Sequence, residues 1–265
     1  MSVLRCVAGV RELRLDRVAV EAPVALVFNG VSHAVMMATP TDLEALGVGF
    51  ALSEGIIDSR DECYGIDVRS DRRGFEVEIE IGSRALARLK QRRRAMEGRT
   101  GCGLCGIESL AQLDLLPDES ARILRPERPA PAAILRAFAA FPAQQLLNAE
   151  TGAVHGAGWA SLDGDLIETA EDVGRHNALD KLLGRRALAH ALLEPGFVIV
   201  SSRASYELVR KCARLGIATL AAISAPTSLA VDVAERAGVD LYGFCRQDRV
   251  VRYAPAAHES GSDPR

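Results

Sequence analysis

The 265-residue chain sets 32 basic against 35 acidic residues, a net charge of −3, and 48% of it is apolar. That balance fits a globular protein with a sizeable core and gives no reason to propose nucleic acid as a partner. The opening residues mix Arg5, Arg11, Glu12, Arg14, Asp16 and Arg17 with apolar ones, and no long clean apolar run follows, so neither signal peptide nor membrane span is expected.

Residues 18–27 (VAVEAPVALV) alternate loosely and predict a strand. Asn29-Gly30 is a type I′ turn signal, and 31–38 is the returning strand. Thr41-Asp42 stands where a cap belongs, and 42–52 has helical apolar spacing that ends near Gly55. Residues 66–69 and 75–81 (FEVEIEI) predict a second hairpin, whose alternation implies one solvated face.

The stretch 82–106 differs. Arg84, Arg88, Lys90, Arg92, Arg93, Arg94 and Arg99 face only Glu97. Such a run is ordinarily a solvated helix face. Here it also precedes Thr100-Gly101-Cys102-Gly103-Leu104-Cys105-Gly106, where three glycines leave two sulfurs unshielded. Positive charge held near them would favour thiolate over thiol.

A short helix over 107–115, a Pro- and charge-rich connector over 117–131 and a helix over 132–141 lead into an α/β pattern. Strands over 154–161, 166–173, 197–201, 217–224 and 241–244 alternate with helices over 177–193, 206–215 and 228–237, with Asp163-Gly164 as a turn. The expectation is α/β, a mainly parallel sheet with helices on both faces, 241–244 being the last core strand. The organisation read from this is an N-terminal extension (1–17) and a small α+β domain (18–110) ending in the basic stretch and the cysteine loop. An α/β domain (111–253) and a polar tail (254–265) follow.

Two thiols at this spacing form a disulfide, hold half a metal site, or act as nucleophile and resolving partner. A closed zinc site wants a second pair, but Cys63, Cys212 and Cys245 stand alone and His155 and His176 are 21 positions apart. No metal is assigned. A zinc deaminase needs H-x-E and then P-C-x-x-C, and both are missing. A thioredoxin-like oxidoreductase remains as the runner-up. The other chemistry is a persulfide relay, in which one cysteine accepts sulfane sulfur, carries it as Cys–S–SH and hands it on. An ordinary thiol at neutral pH is only about 3% thiolate, whereas a pKa lowered to ~7 ionises half of it.

In the second domain Glu171-Asp172-Val173-Gly174-Arg175-His176-Asn177, ending in Asp180-Lys181, sits where a strand meets a helix N-terminus. Ligands of α/β sheets bind there, and a structural cap network is an equal reading. Ser201-Ser202-Arg203-Ala204-Ser205, Ser224-Ala225-Pro226-Thr227-Ser228 and Phe244-Cys245-Arg246-Gln247-Asp248-Arg249 follow later strands in the same way. Four polar strand ends, three with arginine, point to an anionic ligand such as a nucleotide. Cys6, Cys63 and Cys212 read as packing residues; His155 and His176 read equally as structural or site histidines.

Met36-Met37-Ala38-Thr39-Pro40, Asp42-Leu43-Glu44, Gly49-Phe50 and Ser53-Glu54-Gly55-Ile56-Ile57 resemble the first block of the FdhD/NarQ family, the sulfurtransferases needed by formate dehydrogenases. Cys102-Gly103-Leu104-Cys105-Gly106 resembles its second block, and 171–178 with Asp180-Lys181 its third. Ser224-Ala225-Pro226-Thr227 and Gly243-Phe244-Cys245-Arg246 close the pattern. The resemblance implies a cytidine-deaminase-like domain without the deaminase zinc site. It implies that sulfur passes from a cysteine desulfurase to Cys102 as a persulfide, with Cys105 assisting or resolving. The sulfur then goes to the molybdenum cofactor, in its bis-molybdopterin guanine dinucleotide form, before that cofactor enters formate dehydrogenase.

On this reading the cofactor is cargo, held by Phe244, Cys245, Arg246, Gln247, Asp248 and Arg249, with Arg203, Ser205, His176 and Arg175 from the other strand ends. The protein would be a cytoplasmic homodimer. A non-catalytic cofactor chaperone with a structural C-x-x-C is the competing reading. Two residues depart from the pattern: Ser202 stands where glycine is expected and Asp240 where threonine is.

Overall fold

A computed structural model describes residues 1–96 and 127–254. The expected helix over 107–115, most of the connector, both motif cysteines and nearly all of the tail lie outside the described residues.

The N-terminal extension is not featureless. β1 (Ser2–Val7) and β2 (Val10–Leu15) form an antiparallel hairpin, with Ala8 at φ 48° and Gly9 at φ 84°. Both turn residues at positive φ make a type I′ turn, whose twist matches the strands.

β3 (Ala22–Phe28), β4 (Val31–Ala38), β5 (Cys63–Asp71) and β6 (Gly74–Ile81) make a four-stranded sheet in the order β4-β3-β6-β5. Asn29 (φ 49°) and Gly30 (φ 74°) form the type I′ turn that the sequence announces. The alternation in β6 buries Val77, Ile79 and Ile81, which meet Leu46 and Leu52 of α1 (Leu43–Ser53). Ala85 and Leu89 of α2 (Ser83–Met96) extend the same core. Asp42 precedes α1 but does not cap it: its φ is 52°, it makes no side-chain cap bond, and its carboxylate pairs with Arg185 at 2.6 Å.

The second sheet has six strands: β7 (His155–Ala160), β8 (Leu166–Asp172), β9 (Phe197–Val200), β10 (Thr219–Ala222), β11 (Asp240–Arg246) and β12 (Arg249–Ala254). Their order is β12-β11-β10-β9-β7-β8. The expected mainly parallel sheet is corrected here. Only β9/β10 and β10/β11 pair in parallel; the other pairings are antiparallel. The reason is connection length. A turn around Gly164 (φ 90°) joins β7 to β8, and Gln247-Asp248 joins β11 to β12; neither leaves room for a crossover. β12 also replaces β11 as the last strand.

Helices cover both faces, as expected. Phe197, Ile199 and Ala221 face α3 (Pro131–Gln144), while Val198, Val200 and Leu220 face α5 (Arg175–Leu188), α6 (Tyr206–Arg214) and α7 (Ser228–Ala237). A short α4 (Leu146–Thr151), not foreseen, follows α3. The two sheets meet through α1 and α5, which cross at Gly49 and Gly184 with backbone against backbone.

Candidate functional site

β9, β10 and β11 run together, and β8 runs with them because both it and β9 are antiparallel to β7. The loops after β8, β9 and β10 therefore gather at one end of the sheet. The start of β7 joins them: Ser201 Oγ accepts the Gly156 N–H at 2.8 Å.

The 171–181 stretch divides into a structural part and an open part. Both Glu171 carboxylate oxygens accept N–H groups at the head of α4, from Leu147 and Asn148, at 2.8 Å each. Asp172, fully buried, pairs with Lys181 at 2.6 Å and accepts the Thr39 N–H at 2.9 Å. Asn177 donates to the Met37 carbonyl at 2.9 Å. Asp180 accepts from Ser53 at 2.7 Å and from Lys211 at 2.9 Å, and Lys211 also meets Glu54 at 2.8 Å. These groups clasp the α1 region to the second sheet.

Burial works against charge in the clasp, pushing the pKa of Asp180 up and that of Lys181 down, and charge is held most firmly at Lys211 and Glu54. Burial opposes the charge on Lys211, but Asp180 and Glu54 outweigh it and hold the ammonium above the ordinary lysine pKa. Burial likewise opposes the Glu54 carboxylate, yet Lys211 and Arg210 bring its pKa down to about 2.

Arg175 and His176, by contrast, stand half-exposed at the head of α5. His176 Nε2 lies 2.9 Å from Glu207 Oε2, Arg175 lies 3.9 Å from the same oxygen, and Ser205 Oγ donates to it at 3.2 Å. Ser205 occupies the N-cap position of α6 but turns its hydroxyl to Glu207 and caps no N–H. The hydrogen bond from His176 is the main cause that holds Glu207 below the usual carboxylate pKa. His155 joins from the start of β7: burial, then the charges of Arg175 and His176, push its pKa below 6.5 against the pull of Asp172. The heads of α5 and α6, Arg175 and His176 thus meet at this end around the Glu207 carboxylate, and helix N-termini and arginine are the groups that receive phosphate oxygens.

Arg203 is exposed on the neighbouring loop, where Ala204 bridges to Pro226. Phe244 adjoins that loop: its N–H reaches the Ser224 carbonyl at 3.2 Å. Its φ of 52° is an outlier for an aromatic residue, and Arg249 stacks on its ring at 4.6 Å. Arg246, Gln247, Asp248 and Arg249 are exposed around the β11–β12 turn. Cys245 corrects the expectation of a continuous ligand-facing segment. Its side chain points into the core against α3, fully buried, and burial pushes its thiol up to about 12. Asp240 lies at the opposite end of β11, paired with Arg128 and Arg252 at 2.8 and 2.6 Å, so that departure does not touch the strand-end cluster. Ser202, the other departure, is buried and donates to the Arg203 carbonyl at 2.9 Å.

Sequence reasoning left Glu207 unassigned and placed Ser201 only within the polar strand end 201–205. Glu207 carried a weak signal, an acid in the first turn of α6, which reads as an ordinary helix-dipole residue. Among the described residues no cluster of three or more His, Cys, Asp or Glu side chains is placed to hold a metal, and no helix is long and apolar enough to cross a membrane.

The model of the FdhD/NarQ family matches residues 19–258. The chain belongs to the FdhD/NarQ family. A sulfur carrier protein FdhD of Chromobacterium violaceum is 57% identical over 253 residues, which covers 96% of this chain and 94% of that one. One of Burkholderia mallei is 50% identical over 260 residues, covering 97% and 95%. A crystal structure from Desulfotalea psychrophila, of a protein assigned as a formate dehydrogenase accessory protein, superposes with a TM-score of 0.71 at 25% identity. It covers 96% of this chain and 95% of its own. Within the FdhD/NarQ pattern, the first and third blocks prove to be largely the two halves of the buried clasp.

Proposed function

We propose that this chain is a sulfur carrier that loads the molybdenum cofactor for formate dehydrogenase. The observation that carries the reading is the 57% identity, across 96% of the chain, to a protein named a sulfur carrier. Cys102 and Cys105 supply the thiols that such a role needs.

In the proposed cycle the Cys102 thiolate attacks the outer sulfur of a cysteine desulfurase persulfide. A new S–S bond forms at Cys102 as the old one breaks, and the desulfurase leaves as a thiolate. Attack by the Cys105 thiolate on the inner sulfur then releases sulfide to the cofactor and leaves a Cys102–Cys105 disulfide, which a dithiol reductant reopens. The cargo would be the bis-molybdopterin guanine dinucleotide form. Its phosphates suit the cations and hydroxyls of Arg175, His176, Arg203 and Ser205, with Phe244 and the 246–249 turn beside them.

The strand order β8-β7-β9-β10-β11, with only β7 reversed, supports the cytidine-deaminase-like reading of the second domain. The proposed division near residue 110 falls outside the described residues. Cys6, Cys63, Cys212 and Cys245 are all free thiols, which suits the reducing cytoplasm.

The test is intact-protein and peptide mass spectrometry after incubation with a cysteine desulfurase and cysteine. The expected result is one added sulfur on the peptide bearing Cys102, removed by dithiothreitol and absent in Cys102→Ala. No added sulfur while the desulfurase itself is loaded would overturn the carrier step in favour of a cofactor chaperone. A Cys102–Cys105 disulfide that forms and exchanges with protein dithiols while no sulfur is ever loaded on Cys102 would favour the oxidoreductase.

A further inference from the structure

The strands whose ends form the candidate site begin at the far end of the sheet, and a cavity opens there. Gly196 precedes β9, Ala218 precedes β10, and Trp159 lies near the end of β7, which runs the opposite way. All three line a cavity of about 220 Å³, whose walls also include Leu162, Leu192 and Ile217. No residue of the strand-end cluster is among its lining residues.

One wall carries a donor that the fold leaves unused. Trp159 is 2% exposed, and its indole Nε1 makes no hydrogen bond among the described residues. The edge of the ring that bears Nε1 lies against Gly196, where a methyl group would stand 2.4 Å from the nitrogen. Both residues line the cavity, so this edge is the one turned to it. A buried indole N–H ordinarily finds an acceptor, because leaving it bare costs free energy.

Arg186 sharpens that demand. Its guanidinium stacks over the Trp159 ring at 4.6 Å, which draws electron density from the ring and makes the N–H a stronger donor. Arg186 also binds Glu194 at 2.8 Å and the Ala191 carbonyl, so the wall formed by 192–196 is strapped in place. The cavity is therefore preformed.

Its size and lining say what it takes. An apolar cavity of about 150 Å³ already holds benzene, so this one has room for a compact organic molecule. A water needs two to four polar partners, yet Trp159, Glu127 and Glu194 are the only polar side chains among the lining residues, and both glutamates stand exposed. An acceptor on an apolar body meets both needs: the acceptor takes the indole proton and the body covers the aliphatic walls. The two carboxylates disfavour an anion, even with Arg186 offsetting Glu194.

We infer that this cavity is a binding site for a small neutral molecule with an apolar body and one hydrogen-bond acceptor, a ketone or amide, held by the Trp159 Nε1 proton. The site is independent of the sulfur-carrier reading and of the strand-end cluster.

The test is nuclear magnetic resonance on the full-length chain. Trp159 is the only tryptophan, so the protein shows a single indole N–H signal. Acetophenone is expected to move that signal downfield saturably. α-Methylstyrene, which has a methylene where the ketone has oxygen, is expected to bind about fivefold more weakly, the worth of one ordinary hydrogen bond, and to give no downfield shift. Benzoate is expected not to bind. Trp159→Phe, followed by ligand-observed spectra, is expected to erase the preference for the ketone. An indole signal that stays in place through the acetophenone titration would overturn the inference, and so would equal affinity for the ketone and its hydrocarbon twin. That comparison is made on the wild type, so it decides the matter even if Trp159→Phe does not fold.

Discussion

Gly49 of α1 and Gly184 of α5 each lie against the other helix's backbone. A methyl group on Gly49 would stand 1.7 Å from the Asp180 carbonyl oxygen, and one on Gly184 would stand 1.8 Å from that of Ala45. Nothing larger than hydrogen fits at either point. This approach lets the short side chains of Ser53 and Asp180 meet across the interface at 2.7 Å.

Gly49→Ala and Gly184→Ala should therefore each destabilise the protein. Alanine would gain about 1 kcal/mol of helix propensity, but the obstructing atoms are backbone and cannot rotate away. Overpacking of this kind costs about 3 kcal/mol or more when nothing yields, so the net effect is a loss. Urea unfolding of each variant, compared by midpoint, checks the sign; a raised midpoint would contradict the packing described.

Lys211 is the cation shared by Asp180 and Glu54 inside the clasp. Lys211→Met leaves two carboxylates beside an apolar wall and should cost on the order of 3–5 kcal/mol. Adding Glu54→Gln to that variant removes one of the stranded charges and should recover part of the loss. Calorimetric midpoints of the three proteins measure both steps.

The clasp also sets an acid limit. Glu54 has a folded pKa of about 2 against an ordinary 4.5, so its contribution is complete above the unfolded value and fades as pH falls through the folded one. The amount at stake is on the order of 3 kcal/mol. Urea midpoints of wild type and Glu54→Gln should converge as the pH approaches about 2, with the wild-type curve the steeper. Parallel curves would mean that Glu54 is not held by Lys211 and Arg210 in solution.

Guanosine diphosphate is a convenient probe of the strand-end cluster. Arg175→Ala and His176→Ala should each weaken its binding about tenfold, the scale of one charge-assisted contact. Cys245→Ser should leave affinity unchanged and lower stability instead, since its thiol packs in the core. The His155 pKa lies below 6.5 in the free protein, and a bound anion would raise it. Affinity should accordingly rise on acidification below that value, and His155→Gln should flatten the profile. Titration calorimetry at several pH values decides both points.

Thiol labelling separates buried from exposed cysteines. Burial pushes Cys212 and Cys245 up to about 12, so at pH 8 only about one molecule in ten thousand carries the thiolate at either site. Native alkylation with iodoacetamide should modify the exposed Cys6 and spare Cys63, Cys212 and Cys245 until the protein is unfolded. Early labelling of Cys212 would show that α6 opens locally.

Much of the architecture was legible because local signals and tertiary packing agree. The Asn29-Gly30 turn, the return strand to Ala38, the alternation through Ile81 and the helix Ser228–Ala237 all fall where residue patterns place them. Sheet direction was less legible, because a buried apolar strand such as Phe197–Val200 reads the same in either orientation and only connection length distinguishes them. The β1–β2 ribbon escaped notice because Ala8-Gly9 is a weaker turn signal than Asn-Gly and arginines interrupt its alternation.

The candidate site was half legible. Arg175 and His176 do reach the open strand ends, whereas Glu171, Asp172, Asn177, Asp180 and Lys181 in the same stretch are spent on capping and on the clasp. Sequence cannot separate these roles, since carboxylates and lysines suit a ligand pocket and a buried ion pair equally well.

The clasp has a consequence for dissection of the gene. Cut the chain between residues 96 and 127, and one fragment keeps Glu54 and Ser53 while the other keeps Asp180 and Lys211. Each alone would display a glycine-notched helix and unneutralised charge where its counterpart belongs. Co-expressed, the two fragments should find each other and co-purify, as a split reporter does, whereas neither should accumulate by itself.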